Sequence, residues 1–209
     1  MGKRFGDWIS SALEGLQFLE PVEDTATPPH RKAGRTVDAA ISQEVRFIAQ
    51  RELFQDCLAE IKPILEEHWR ELAHHQDAIR LSPNYDAYEA LAKSGALRVY
   101  TVRVRSTNEI AGYAAFFVMP HLHYQSHTWA VSDLFFVRKQ FRRPWWRPFS
   151  MVKPVGAGTV LFDAVEEDLR SVGASVIHCT HKTAVPMAGK MFKHRGYKLI
   201  EFGWAKPLN

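Results

Sequence analysis

The sequence predicts a mixed α/β (α+β) domain around one central, mostly antiparallel sheet, with parallel pairing where a helix crosses over. Three observations lead there. The runs "ALRVYTVRVR" and "IAGYAAFFVM" are strand-like and separated only by the polar "STNE", the pattern of a hairpin. Two amphipathic helical stretches stand before that hairpin. From residue 159 onward, helix and strand patterns alternate, which requires a crossover.

Taken in order, the first forty residues differ from the rest. Phe5, Trp8, Ile9, Ala12, Leu13 and Leu16 fall at helical spacing, and "EPVEDTATPPHRKAGRT" follows without periodicity. Residues 1–40 therefore read as an amphipathic helix on a flexible linker, and residues 41–209 as the domain. Pro21, Pro28 and Pro29 would hold the helix away, so residues 1–36 are expected to dock on a protein partner or larger assembly. Within the domain, "EVRFIAQRE" is strand-like. Residues 53–72 form a helix with Phe54, Cys57, Leu58, Ile61, Leu65, Trp69 and Leu72 on one face and a kink at Pro63. Ser82 as cap, Pro83 at the first position and Gly95 at the end mark a second helix. After the hairpin come a polar loop "PHLHYQSHT", the strand "WAVSDLFFVR", a helix over 159–172 closed by Gly173, and the strand "SVIHC". A short helix over 186–194 and a last strand near "YKLIEFGWA" complete the order.

Composition narrows the function. With 209 residues, 46% hydrophobic and 24% charged, the chain suits one well-filled domain. No apolar run is long enough to span a membrane and no secretory leader precedes the domain, so a cytoplasmic protein is expected. Cys57 and Cys179 stand apart without metal-site spacing. A formal charge of +4 suits an anionic ligand but is too mild to indicate nucleic acid. The segment "RRPWWRPF" is one short basic aromatic stretch with no second stripe beside it.

The stretch "VKPVGAG" before an amphipathic helix carries the chemistry. It lacks the Lys of a Walker loop and the third glycine of a dinucleotide turn. What it offers is Gly156-Ala157-Gly158 at a helix N-terminus, where free amides and the helix dipole converge on an anion. Arg142, Arg143 and Lys153 are candidate counter-charges.

In this order of elements, "DLFFVRKQFRR", "KPVGAG" and "AGKMFKHRGYKLIEF" together resemble the GNAT superfamily of acyl-CoA-dependent N-acetyltransferases over roughly residues 44–208. "HLHY" is similar to acetyltransferase-like proteins encoded by bacteriophages. The resemblance implies acetyl-CoA as co-substrate and an amine acceptor. It implies that the fourth and fifth strands splay apart, with Phe135, Phe136 and Val137 along the pantetheine. Val155, Gly156, Ala157, Gly158 and Thr159 would meet the pyrophosphate, and a backbone amide would face the developing oxyanion.

The chain departs from the family at three places. Lys153 replaces Arg or Gln, "PWWRPFSMVKP" is inserted before Gly156, and Phe192 stands where a Tyr often protonates the departing thiolate. Asp133, through a water, and His123 or His121 are candidate general bases. His121, His123, His127, His178 and His181 match no metal pattern. The expected function is direct acetyl transfer in a ternary complex. The alternative is a GNAT-like module with an assembly role, for example in a virion.

Overall fold

The computed structural model describes residues 46–142 and 155–208. The proposed docking tail, Arg143, Lys153 and the inserted 144–154 segment lie outside these residues. The chain divides into two units, residues 1–42 and 43–209, and all that follows concerns the second.

Five strands form one sheet in sequence order: β1 (Phe47–Glu52), β2 (Leu97–Val104), β3 (Ile110–His121), β4 (Tyr124–Val137) and β5 (Ala174–His178). Successive pairs are antiparallel except β4 with β5, which run parallel. Helices α1 (Phe54–Leu72) and α2 (Tyr85–Lys93) lie between β1 and β2, α3 (Ala157–Ser171) between β4 and β5, and α4 (Pro186–His194) after β5.

Each face of the sheet has its own core. On one, Leu161, Phe162, Val165 and Leu169 of α3 and Phe192 of α4 pack against Tyr100, Val102, Ala114 and Phe116. On the other, Phe54, Cys57, Ile61 and Ile64 of α1 cover Leu97, Val99, Tyr113 and Phe136. The buried face of α1 is thus centred on residues 54, 57, 61 and 64. Leu58, Leu65 and Leu72, expected on the central stripe, pack as its partly buried flank, and the helix continues through Pro63. Burying Phe54, Ile61 and Ile64 contributes roughly 1.5 to 3 kcal/mol each.

Of the register shifts in the sheet, two lie where they shape its centre. The β2–β3 register skips Ala111 and the β3–β4 register skips Asp133, so side chains switch faces at both points. Beside the first bulge, a Cβ on Gly112 would stand 2.5 Å from the Phe136 carbonyl oxygen. That approach admits only glycine.

Four expectations change. Asn84 rather than Ser82 caps α2, its Oδ1 accepting from the Ala87 amide at 3.0 Å. Helix α3 begins at Ala157, two residues early. The expected polar loop is instead the end of a long hairpin, with β3 reaching His121 and β4 starting at Tyr124. Cross-strand stacking explains the extension: the Trp129 ring lies 4.1 Å from His121 and parallel to Tyr124 at 6.2 Å. The last strand near residue 197 does not form; residues 198–206 are exposed and outside the sheet. No helix among the described residues is long and apolar enough to cross a membrane.

Candidate functional site

The bulge at Asp133 builds the site. Parallel pairing of β4 with β5 covers only Thr128–Val131 and ends opposite His178. Beyond it, the Thr180 amide donates to Ser132 Oγ at 3.2 Å and the two chains diverge. Among the described residues, the β4 edge over 133–136 is therefore without a strand partner on that side. A bulge bends its strand and ends pairing locally, which is how a slot opens inside an otherwise continuous sheet.

Helix α3 starts at the end of that slot. A Cβ on Gly158 would lie 3.8 Å from Val137 Cγ2 and 3.4 Å from Met191 Sδ, so the turn packs against β4 and α4. Gly156 is the N-cap, and no described residue stands where its side chain would be. Its carbonyl accepts from Thr159 and Val160. Among the described residues nothing accepts from the Ala157 and Gly158 amides, no side chain caps the helix, and its first turn holds no acid. This leaves positive potential aimed at the slot. Val155 is 55% exposed and Ala157 buried, so the turn enters the domain from solvent.

The other site candidates are distributed as follows. Phe135 and Val137 face the α3 side, where Phe135 packs within 5.4 Å of both Phe162 and Phe192. Phe136 points to the opposite face and stacks on His68 at 4.6 Å. Along this strand only backbone groups can line the slot together. Arg142 is engaged: Nε donates to the Val137 carbonyl at 2.6 Å, both guanidinium NH2 groups pair with the Glu71 carboxylate, and the cation covers Phe136 at 5.0 Å. It braces α1 against β4 rather than standing free as counter-charge. Asp133 is exposed at the bulge and accepts from the Tyr88 hydroxyl of α2 at 2.7 Å. His123 sits in the hairpin turn, its amide donating to His121 Nδ1 at 3.1 Å. Ten residues of strand at roughly 3.3 Å each put about 30 Å between it and Asp133. The two candidate bases are not brought together. Among the described residues no three His, Cys, Asp or Glu side chains converge on a metal position.

The structure adds residues that the pattern did not single out. His68 on α1 shares a hydrogen bond with the Tyr113 hydroxyl at 2.9 Å, beside the Asp133–Tyr88 pair. Burial pushes its imidazole down to about 4, with nearby Lys182 and Arg142 adding to the effect and Glu71 opposing it. Its position three residues after Leu65 and four after Ile64 marks the helix's inner face, but nothing local distinguishes it from a solvated histidine. Cys179 is held protonated, chiefly by burial, at a value pushed up to about 12. On α4, Phe192 is 6% exposed among aromatic rings, and the Tyr197 hydroxyl donates to Glu166 at 3.1 Å. Arg195 forks onto that same carboxylate at 2.8 and 2.9 Å, which fixes α4 on α3.

A prediction follows for His68. Its folded value lies below the unfolded one near 6.5, so stability is full above pH 6.5 and falls as pH drops toward 4, by roughly 3 kcal/mol. An NMR titration should place its midpoint near 4; a midpoint near 6.5 would refute the desolvated placement.

No protein-family model matches the sequence, and no curated protein is similar to it. Solved structures do match. An aminoglycoside acetyltransferase from an uncultured soil metagenomic sample, with trehalose bound, superposes at a TM-score of 0.55 and 13% identity, covering 78% of this chain and 99% of its own. A ribosomal-protein-alanine N-acetyltransferase from Brucella melitensis biovar Abortus 2308 gives 0.53, 13%, 78% and 99%. The chain has the GNAT acetyltransferase fold. A Trypanosoma brucei acetyltransferase of this fold also matches, at 0.51 and 15% identity, with 78% of this chain and 99% of its own covered. The bacteriophage resemblance read from "HLHY" gains no support from these GNAT structures. Those residues form the β3–β4 turn.

Proposed function

We propose that this chain transfers an acetyl group from acetyl-CoA to an amine, of a protein or a small molecule. The observation that carries the reading is the uncapped N-terminus of α3 opening at the end of the slot where β5 leaves β4. The residues present suit such a co-substrate. The Ala157 and Gly158 amides would bind its pyrophosphate, with Gly156 giving close access. The unpaired β4 edge over 133–136 would hold the pantetheine arm. Acetyl-CoA supplies an acetyl group already activated as a thioester.

Asp133 orients the acceptor ammonium at the bulge and receives the proton the nitrogen loses, directly or through a water. Tyr88 holds that carboxylate in place. The rate gain rests mainly on holding the nitrogen and the acyl carbon together. Phe192 carries no proton, so the thiolate departs without help from that position. Arg143 and Lys153 remain proposed counter-charges.

Thiol release measured against a panel of amines and peptides tests the chemistry. Slow but reproducible turnover is expected in the wild type, reduced at least about tenfold in Asp133→Asn and equal or faster in Phe192→Tyr. Robust turnover unaffected by Asp133→Asn would remove the carboxylate's role.

A further inference from the structure

Phe192 leaves the departing thiolate without a proton donor on α4, and the β5 side of the slot offers one. Thr180 is tied to β4 through its amide on Ser132 Oγ, and Asp133 and His181 are the next residue on each side of that fork. They turn to opposite faces of the sheet. Asp133 meets Tyr88 in the layer of α1 and α2, whereas the His181 ring meets Phe192 at 6.0 Å in the layer of α3 and α4. A bare stretch of helix makes this placement possible. A Cβ on Gly189 would stand 2.8 Å from His181 Nε2 and 2.9 Å from its Cε1, so that edge of the imidazole rests on the backbone of α4, and Nδ1 is the nitrogen left off it. Helix propensity disfavours glycine inside α4, and the ring fills the room that the missing side chain leaves.

We propose that His181 is the general acid of the acetyl transfer read above, an inference that rests on that reading. Asp133 takes the proton of the acceptor nitrogen as its bond to the acyl carbon forms. His181 gives a proton to the coenzyme A sulfur as the carbon–sulfur bond breaks, and water carries the balance from the carboxyl back to the imidazole. Tyr197 and Cys179 pack against the same cluster as Phe192 and serve less well. The Tyr197 hydroxyl is committed to Glu166, and burial pushes its pKa further up. The Cys179 thiol, pushed up to about 12 chiefly by burial, is too weak an acid to reprotonate another thiolate. His181 is exposed, so water recharges it, and an imidazole is the side chain suited to give up a proton near neutral pH.

Coenzyme A and desulfo-coenzyme A, which lacks the sulfur, test the placement apart from turnover. Both should bind the full chain with similar affinity by titration calorimetry. In NMR spectra with labelled histidines, coenzyme A should shift the His181 ring signals, identified by their loss in His181→Gln, and the desulfo compound should shift them markedly less. In thiol release, His181→Gln should lower kcat at least about tenfold and leave KM for acetyl-CoA within about twofold. Because the residue is exposed, the variant should keep its circular dichroism spectrum. Adding Phe192→Tyr to His181→Gln should recover most of the loss, since a phenol then stands beside the vacated place. Equal His181 shifts with the two ligands, a His181→Gln rate equal to the wild type, or a double variant no faster than His181→Gln overturns the assignment and leaves acetyl-CoA binding standing. Failure of the wild type to bind coenzyme A would remove both.

Discussion

Gly156→Asp should abolish acetyl-CoA binding while leaving the domain at least as stable as the wild type. The N-cap backbone is already extended, with φ −73° and ψ 153°, and no described residue occupies the space beyond its Cα, so the new side chain enters without strain. Its carboxylate caps the helix by accepting from the first-turn amides. Relative to glycine this contributes a few tenths of a kcal/mol, with a further 0.3 to 1 kcal/mol from the dipole. The same carboxylate stands where a pyrophosphate would bind. Two unit charges about 4 Å apart repel by about 4 kcal/mol at an effective dielectric of 20, and solvent lowers this, so a loss of at least about a hundredfold in affinity is expected. Titration calorimetry paired with thermal melting decides it. Unchanged affinity with a rising melting temperature would show that no anion uses this turn, and the acetyl-CoA assignment would fail.

Arg103→Ala should be the most damaging single change to the fold. Arg103 is 6% exposed on β2, donating to Glu52 from Nε at 2.8 Å and NH2 at 3.0 Å, to Glu60 at 2.9 and 3.0 Å, and to the Asn108 carbonyl at 2.9 Å. Removing it leaves the Glu52 carboxylate, whose side chain is 10% exposed, without a cation and with only neutral partners, the Thr101 hydroxyl and the Gln50 side chain. Glu60 is half exposed and can turn to water. An uncompensated buried charge costs about 3 to 5 kcal/mol, which lowers the melting temperature of a domain this size by about 10 °C.

The double change Glu52→Gln/Arg103→Met should recover most of that loss, since the amide still serves Thr101 and no charge is left behind. A double variant no better than Arg103→Ala would show that the cost lies in packing. The pH dependence has a definite sign. Burial raises the Glu52 carboxyl, but the bonds from Arg103 and Thr101 outweigh it and hold the group below its usual value. The stability it adds is present above the ordinary glutamate range and lost as pH falls through the folded value. Acid sensitivity at the bottom of that range should therefore weaken in Glu52→Gln/Arg103→Met.

Much of this was legible because it depends on near neighbours in the chain. Alternating apolar residues gave β2 and β3, and the helical stripe gave α1 although its centre lay one residue off. Gly156 and Gly158 marked a helix start because a helix needs small residues there if anything is to approach its amides. The longer β3–β4 hairpin was missed because the His, Ser and Thr residues that read as a polar loop are held in register by Trp129, Tyr124 and His121 across the strands. Tyr88 gave no signal, since its value lies in reaching Asp133, 45 residues away.

The sequence by itself therefore determined the order of elements from β1 through α4 and the glycine turn before α3, because each is a matter of residue type and short-range spacing. Only the tertiary structure decided that Asp133 sits on a bulge where β5 leaves β4, that Arg142 is bound to Glu71, that His68 is partly buried with its imidazole pushed down by desolvation, and that residues 198–206 stay off the sheet. A bulge, an ion pair between distant segments, a desolvated imidazole and an unpaired strand all arise from which surfaces meet, and a local pattern carries no record of its distant partners.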